Sequence, residues 1–239
     1  MEPYFLIGVS FLTSTFTAVI GMGGGIMLIS VMPGLLPAAA IVPVHGAVQL
    51  ASNSSRVLFG LRHIEWSIFW PFLAGAALGS IAGASAVIRL SFDYLPFYLV
   101  IFVLIVTWIP IPKRAFRLPG HFVILGAIQT FFSLFVGVTG PLTNAFLVRE
   151  ELPKDRLIVT HGSVMTATHL CKIIVFGFIG FAYTPYLPLI AGMLVAVIAG
   201  SWFGTKIRDH LSEVFFRKVF KTLITLLSLR MIINALDLI

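Results

Sequence analysis

Long apolar runs separated by short polar connections make up most of this chain. A helix needs about 20 mostly apolar residues to cross a bilayer, and most of the runs are near that length. Because lipid provides no hydrogen-bond partner for backbone groups, we expect these runs to be helices. The pattern predicts an all-α integral membrane protein with eight hydrophobic segments, at residues 4–32, 37–60, 66–88, 93–111, 120–148, 158–178, 184–204 and 213–236.

The second half of the chain repeats the first at a nearly constant offset. A shift of 116 residues, with one further inserted residue later, pairs Phe16 with Phe132, Gly21 with Gly137, Gly24 with Gly140, His45 with His161, Gly46 with Gly162, Gly75 with Gly192, and Gly83 with Gly200. Leucine and valine occur in every membrane helix, whereas matched histidine–glycine pairs do not. We interpret the pattern as an internal duplication.

The duplication predicts the organisation of the chain. Residues 1–112 form a first four-segment membrane repeat, residues 113–121 a basic linker, and residues 122–239 a second membrane repeat. Duplicated halves are typical of transporters, in which the substrate lies between the halves. Four full crossings per half would make the halves parallel, whereas one segment that enters and leaves on the same side would make them inverted. The sequence leaves both arrangements open.

Segments 1 and 5 are too long for one simple span, and each contains a glycine cluster. Glycine disfavours helix and Pro141 has no N–H to donate, so both clusters predict a broken helix at membrane depth. Each restarting half-helix would direct free N–H groups and the positive end of its dipole into a cavity, which suits an anion. The candidate ligands at the breaks are Gly23, Gly24, Gly25, Thr139, Gly140 and Asn144. Close helix packing is the alternative, and it is the interpretation for glycines spaced by four in segment 3, Gly75, Gly79 and Gly83.

Polar residues follow one face of segments 2 and 6. In segment 2, residues spaced by four, four and three share a helix face: His45, Gln49, Asn53 and Arg56. The copy in segment 6 consists of His161, Met165, His169 and Lys172. Polar side chains inside a membrane are costly and tend to line a cavity or pathway, so these stripes should lie between the halves. The candidate substrate ligands on them are Gln49, Asn53, Ser54, Arg56, His169 and Lys172.

The cations and the first histidine of each stripe each have two interpretations. Arg56 and Lys172 would either neutralise a bound anion or extend toward lipid headgroups, because each lies near a segment end. His45 and His161 each precede a glycine, and would either take part in a proton relay or tether nearby backbone. The residues alone do not choose between these roles.

Composition narrows the class of protein. Hydrophobic residues make up 59% of the 239 positions and charged residues 10%, which leaves too little polar surface for a soluble globule. The net charge of +7 comes mostly from residues between the apolar segments, where anionic headgroups attract them. We therefore expect membrane lipids as partners and no nucleic acid. The single cysteine excludes an intrachain disulfide.

Catalysis and cofactor binding lack their usual residues. His161, His169 and Cys171 do not have the spacing of a zinc site, and no carboxylate joins them. The acidic residues fall at segment ends or in loops, so no buried carboxylate pair or catalytic triad is predicted. The glycine clusters lack the lysine and serine that follow in a nucleotide-binding loop. We expect no enzyme activity, metal or cofactor.

The glycine breaks and polar stripes together resemble a known family. Gly21-Met-Gly-Gly-Gly25, His45-Gly with Asn53-Ser54, and Gly137-Val-Thr-Gly-Pro141 are similar to the TauE/SafE family of sulfite exporters and anion permeases. The resemblance covers essentially the whole chain, including the eight-segment duplication. It implies a bacterial inner-membrane permease for sulfite, sulfoacetate or related organosulfur anions. His169 stands where the first half has Asn53, so the two halves need not offer equivalent ligands.

The leading hypothesis from the sequence is a secondary transporter for a small anion, which works by alternating access between the two repeats. A passive anion channel with the same lining is the second hypothesis. The third is a sulfur-relay membrane protein that uses Cys171, which requires this thiol to face the cavity.

Overall fold

The computed structural model describes residues 2–20, 23–58, 60–88 and 120–207, with isolated positions at 101, 105, 222, 225, 226 and 229. The predicted segments 93–111 and 213–236 and most of the linker 113–121 lie outside the described residues. Regular structure in the described ranges is helical, in the elements α1 Phe5–Ile20, α2 Gly24–Val31, α3 Ala38–Leu58, α4 Trp66–Val87, α5 His121–Val136, α6 Gly140–Leu147, α7 Lys154–Phe178 and α8 Leu187–Ile207. The prediction of an all-helical chain is confirmed for this part, and the eight-segment layout stays a prediction.

Three of the described helices are long and apolar enough to cross a membrane. They cover Trp66–Val87, Asp155–Phe178 and Thr184–Ile207. The apolar stretches in α1 and α5 are shorter, and α3 has 21 residues but carries the polar stripe of segment 2. Length and apolar composition thus support an integral membrane protein.

Segments 1 and 5 are broken at their glycine clusters. Helix α1 ends at Ile20 and α2 begins at Gly24, while α5 ends at Val136 and α6 begins at Gly140. Glycines beside both breaks have left-handed backbone, with φ of 102° at Gly23 and 76° at Gly137. A residue with a Cβ rarely adopts this conformation, so glycine allows the chain to leave the helix there. The predicted breaks are confirmed.

The chain reverses direction at the second break. Helix α5 has 16 residues and is therefore about 24 Å long. Its first residue, His121, lies 3.4 Å (Nε2 to Oε1) from Glu150, which follows the end of α6. The chain therefore returns to its starting level, and α5 with α6 forms a helical hairpin.

At the first break, α2 also starts beside α1 and does not continue its axis. The Gly24 N–H donates to Thr17 Oγ1 at 2.9 Å, and Thr17 lies one turn before the end of α1. A Cβ on Gly24 would also meet the carbonyl oxygen of Thr13, two turns before that end. Gly24 therefore packs against the side of α1, as a reversed chain requires.

The remaining helices pack in reciprocal pairs. Helix α1 packs along α8, and α4 packs along α5. Glycines allow both approaches: a Cβ on Gly75 or Gly79 would run into carbonyl oxygens of α5, and one on Gly200 into the carbonyl oxygen of Phe11 in α1. Each broken helix thus packs on the third segment of the opposite half, and close packing is the observed role of Gly75 and Gly79.

We expect Gly75→Ala to destabilise the folded protein in detergent, because its methyl group would overlap the Val123 carbonyl. Overpacking of this kind costs about 1–3 kcal/mol. Thermal unfolding followed by size-exclusion chromatography measures the effect. Gly8→Ala is the matched control, because a Cβ on Gly8 has no neighbour within 4 Å, and its melting temperature should not fall. Equal melting temperatures for both variants would contradict the packing role.

Helices α3 and α7, which carry the two polar stripes, pack against each other in antiparallel directions. A Cβ on Gly46, in the first half of α3, would lie 2.8 Å from Lys172 Cδ, late in α7. At the other end, a Cβ on Gly162, early in α7, would lie 3.2 Å from Val57 Cγ2, late in α3. This packing brings both stripes to one interface, beside the two helix breaks.

Candidate functional site

A cavity of about 40 Å³ lies where the polar stripes meet the helix breaks. It is lined by nine residues that the sequence singles out, Gly23, Gly25, His45, Gln49, Asn53, Arg56, Gly140, His161 and His169. A single water needs at least about 10–15 Å³ measured in this way, so the cavity holds about three waters or one small oxyanion. The structure thus brings most of the predicted ligands to one place.

Other cavity residues were not among the predicted ligands. They are Thr17, Ile26, Val138, Pro141 and Met165. The sequence could have indicated Thr17 as a cavity residue, because it carries a hydroxyl one turn before a helix break. Ile26 and Val138 carry no polar side chain, so only their position beside the breaks could have indicated them.

Five predicted ligands do not line this cavity: Gly24, Ser54, Thr139, Asn144 and Lys172. The Gly24 N–H is used by Thr17, and the Ser54 hydroxyl donates to the carbonyl of Ala51 in its own helix. Thr139 is fully buried, and its hydroxyl has no hydrogen-bond partner among the described residues. Where a partner is seen, the polar group of the residue is already used within the protein, by a hydroxyl for Gly24 and by a backbone carbonyl for Ser54.

The starts of α2 and α6 contribute unequal donors to the cavity. Neither helix has a side-chain N-cap, but the first N–H of α2, on Gly24, already donates to Thr17 Oγ1, so those of Gly25 and Ile26 are the ones left without an acceptor in the helix. Gly25 and Ile26 bring backbone N–H groups from α2, whereas Pro141 has none to bring from α6. The positive end of the helix dipole adds to this donor set, so the α2 side is the stronger anion ligand.

Arg56 faces the cavity with part of its guanidinium unoccupied. Its Nε donates to the carbonyl of Ser52 at 3.1 Å, and its Nη2 donates to Asn53 Oδ1 at 2.7 Å. A guanidinium has five N–H donors, so three N–H groups are left for a ligand. The side chain is partly exposed and lines the cavity, which favours its role as a counter-charge.

Asn53 holds Arg56 in this position. Its Oδ1 accepts from Arg56, and its Nδ2 donates to the carbonyl of Gln49 at 2.7 Å. Both ends of the amide are therefore engaged, and one N–H remains for a substrate. The structure thus assigns Asn53 more to positioning Arg56 than to direct binding.

Lys172 takes neither of its two predicted orientations. It is 0% exposed, so it does not extend to a headgroup layer, and it does not line the cavity. Its Nζ donates to the carbonyl of Gly137 at 2.7 Å and lies 3.4 Å from Nδ1 of His169. A buried ammonium needs acceptors, and the carbonyl freed by the second helix break supplies one.

The first histidine of each stripe tethers a half-helix. His45 Nε2 lies 3.0 Å from the carbonyl of Gly25, and His161 Nε2 lies 3.2 Å from that of Gly140. Because a carbonyl only accepts, Nε2 carries the proton in both rings. His45 Nδ1 is buried without a partner among the described residues, and the His45 and His169 rings meet edge to face at 5.9 Å between centroids. Tethering is observed, and a proton relay stays a prediction.

The model of the sulfite exporter TauE/SafE family matches residues 6–231, which is nearly the whole chain. The chain belongs to the TauE/SafE sulfite exporter family. No curated protein and no solved structure matches it significantly. Family membership implies a membrane exporter of sulfite or other anions, a transporter and not an enzyme, and it makes small anions the expected substrates.

The residues that line the cavity of this TauE/SafE protein carry hydrogen-bond donors, and none of these lining residues is Asp or Glu. Among the described residues, no group of three His, Cys, Asp or Glu side chains is close enough to hold a metal ion. Cys171 is partly buried, packs beside the cluster around Phe72, and does not line the cavity. The hypothesis of a sulfur relay requires this thiol in the cavity, so the geometry disfavours it.

Proposed function

We propose that this chain is a secondary transporter that carries sulfite, or a similarly small sulfur oxyanion, through the cavity between the two helix breaks. The observation that carries the proposal is that Arg56 lines the cavity, and Lys172 lies behind the cavity residue His169, without a carboxylate partner among the described residues. The ion pairs within the described ranges are Arg156–Glu65 and His121–Glu150, and both lie away from the cavity. Buried charges are costly unless paired, so a substrate anion is the natural partner.

The donor set matches an oxyanion better than a halide. The Arg56 guanidinium, the N–H groups of Gly25 and Ile26 and the amide of Gln49 converge on one small cavity. A planar guanidinium binds two oxygens of one anion at once, which a monatomic ion cannot exploit. The cavity has room for an oxyanion group of about four heavy atoms, such as sulfite.

Alternating access between inverted halves is the mechanism that we propose. Helices α3 and α7 are equivalent by the 116-residue offset and pack antiparallel, as two inverted copies would. The reciprocal packing of α1 on α8 and of α5 on α4 fits a two-fold relation, and the hairpin of α5 and α6, which would enter and leave the membrane on one side, favours the inverted one. In inverted-repeat transporters, one half rocks against the other around a central site.

A carrier is favoured over a passive channel because apolar side chains cover the Lys172 end of the site. Ile29 and Val42 lie against Gly137, and Phe176, one turn beyond Lys172, is 1% exposed. A channel would need a continuous polar path through this region. The bacterial inner membrane as the location, and proton coupling through His45 and His161, are further parts of the proposal.

Uptake of radiolabelled sulfite into proteoliposomes tests the proposal. We expect uptake that saturates with sulfite concentration and that is accelerated by unlabelled sulfite inside the vesicles, because a carrier returns faster when loaded. Flux that does not saturate would favour the channel. Absence of uptake above empty liposomes, from protein that is monodisperse after reconstitution, would overturn sulfite transport. An imposed pH gradient in the same assay reports whether protons are coupled.

A further inference from the structure

Arg56 and Lys172 occupy equivalent positions in the two halves but opposite ends of the site. They are related by the 116-residue offset, on helices that pack antiparallel. The Lys172 side chain lies beside Gly46, ten residues before Arg56 on α3, so the two backbone levels are about 15 Å apart along the helix axis, and the charged groups are closer because the Arg56 guanidinium reaches back to Ser52 and Asn53. Each half therefore contributes one cation, and each cation is nearer to a different face of the membrane.

The two cations are in different states. Arg56 is partly exposed, lines the cavity, and among the described residues is hydrogen-bonded to two residues of its own helix. Lys172 is fully buried and donates to the Gly137 carbonyl at the opposite helix break. The cation at the Arg56 end therefore faces the cavity, whereas the cation at the Lys172 end is shut off from it.

Contacts from four helices surround Lys172 and the second helix break at the closed end of the site. Lys172 Nζ links α7 to the break between α5 and α6, and its alkyl chain lies over Gly46 of α3. Ile29 of α2 packs over Gly137 from the other half. A second contact of Nζ, at 3.4 Å, is His169 Nδ1, and His169 lines the cavity. The cation thus lies directly behind a cavity residue, held by a backbone carbonyl that an anion could replace.

We propose that Arg56 and Lys172 are alternate counter-charges for one substrate, each binding it when the cavity is open on its own side. This inference rests on the proposed transport function. When the halves exchange conformations, Lys172 leaves the Gly137 carbonyl and faces the cavity, and Arg56 withdraws from it. The substrate then meets one cation in each state, and the unused cation has a backbone acceptor and so is not left buried without a partner.

Cysteine accessibility tests this exchange without requiring transport. In a Cys171→Ser background, which removes the only native thiol, Arg56→Cys and Lys172→Cys are made singly. A membrane-impermeant thiosulfonate reagent is added to right-side-out and to inverted vesicles, without sulfite. We expect Arg56→Cys to label from one face and Lys172→Cys from the opposite face only. Labelling of both from the same face would overturn the proposal, as would no labelling of a folded Lys172→Cys from either face.

A second pair of variants keeps both cations in place. Gly46→Cys reports beside Lys172, where the new side chain meets only the flexible lysine chain, and Gly162→Cys reports beside Val57 at the Arg56 end. If Lys172→Cys does not fold, this second pair tests the proposal in its place. We expect Gly46→Cys and Gly162→Cys to be labelled from opposite faces. Labelling of both from the same face would contradict the exchange.

Uptake measured in the Cys171→Ser background, which keeps both cations, together with labelling of the single-cysteine variants, separates the two proposals. Saturable sulfite uptake with labelling from one face would overturn the exchange of counter-charges and leave the transport function standing. Opposite-face labelling without uptake would overturn sulfite transport, while supporting a site that is reached from both sides.

Discussion

Arg56→Gln is expected to reduce the apparent affinity for sulfite in proteoliposomes by at least about tenfold, because a hydrogen bond to a charged group contributes about 1.5–3 kcal/mol. Glutamine retains hydrogen-bonding capacity but removes the charge that no carboxylate among the described residues balances. The loss should appear mainly as a raised KM, since the role that we propose for the guanidinium is to bind the substrate. Initial uptake rates over a range of sulfite concentrations measure it.

Three companion variants separate charge from structure. Arg56→Lys should recover much of the affinity, and Arg62→Gln, at an exposed position in the turn after α3, should change little. Asn53→Asp should lose affinity as Arg56→Gln does, because its carboxylate would pair with Arg56 and repel the anion. A normal KM for Arg56→Gln in folded protein would show that Arg56 is not the counter-charge.

Gly24→Ala is expected to abolish sulfite uptake. Its methyl group would meet the Thr17 hydroxyl and the backbone carbonyl of Thr13, so the start of α2 would have to move away from α1. Such a shift displaces the neighbouring N–H donors of Gly25 and Ile26 from the cavity. Shifts forced by overpacking cost about 1–3 kcal/mol in stability, so we also expect a lower melting temperature.

Gly140→Ala is the matched comparison, because the 116-residue offset makes Gly140 the counterpart of Gly24. A Cβ on Gly140 would lie 3.7 Å from His161 Nε2, which is ordinary van der Waals contact. We expect a smaller loss of uptake than for Gly24→Ala, because no backbone has to move, although the methyl group is added beside a cavity that Gly140 lines. Equal loss in both variants would show that the glycines matter for backbone flexibility alone, and normal uptake in both would contradict the broken-helix site.

Features with a local cause were predictable from the sequence. Glycine clusters and Pro141 break helices wherever they occur, and α1 and α5 end within four residues of the next helix at both clusters. Residues spaced by three or four share a helix face, so the polar stripes of α3 and α7 were also predictable, as was the cavity that they line. Gly75 and Gly79 similarly pack closely against α5.

The tertiary structure decided which residue of each matched pair faces the cavity and which one is held by its neighbours. The sequence treats Arg56 and Lys172 alike, and also Gly24 and Gly140, because each pair occupies one position of the repeat. In the folded chain, Lys172 is fixed by the Gly137 carbonyl while Arg56 faces the cavity, and Gly24 is pressed against α1 while Gly140 has room. Local sequence sets what a residue can do, but neighbours from distant segments set its contacts, and those neighbours differ between the two halves.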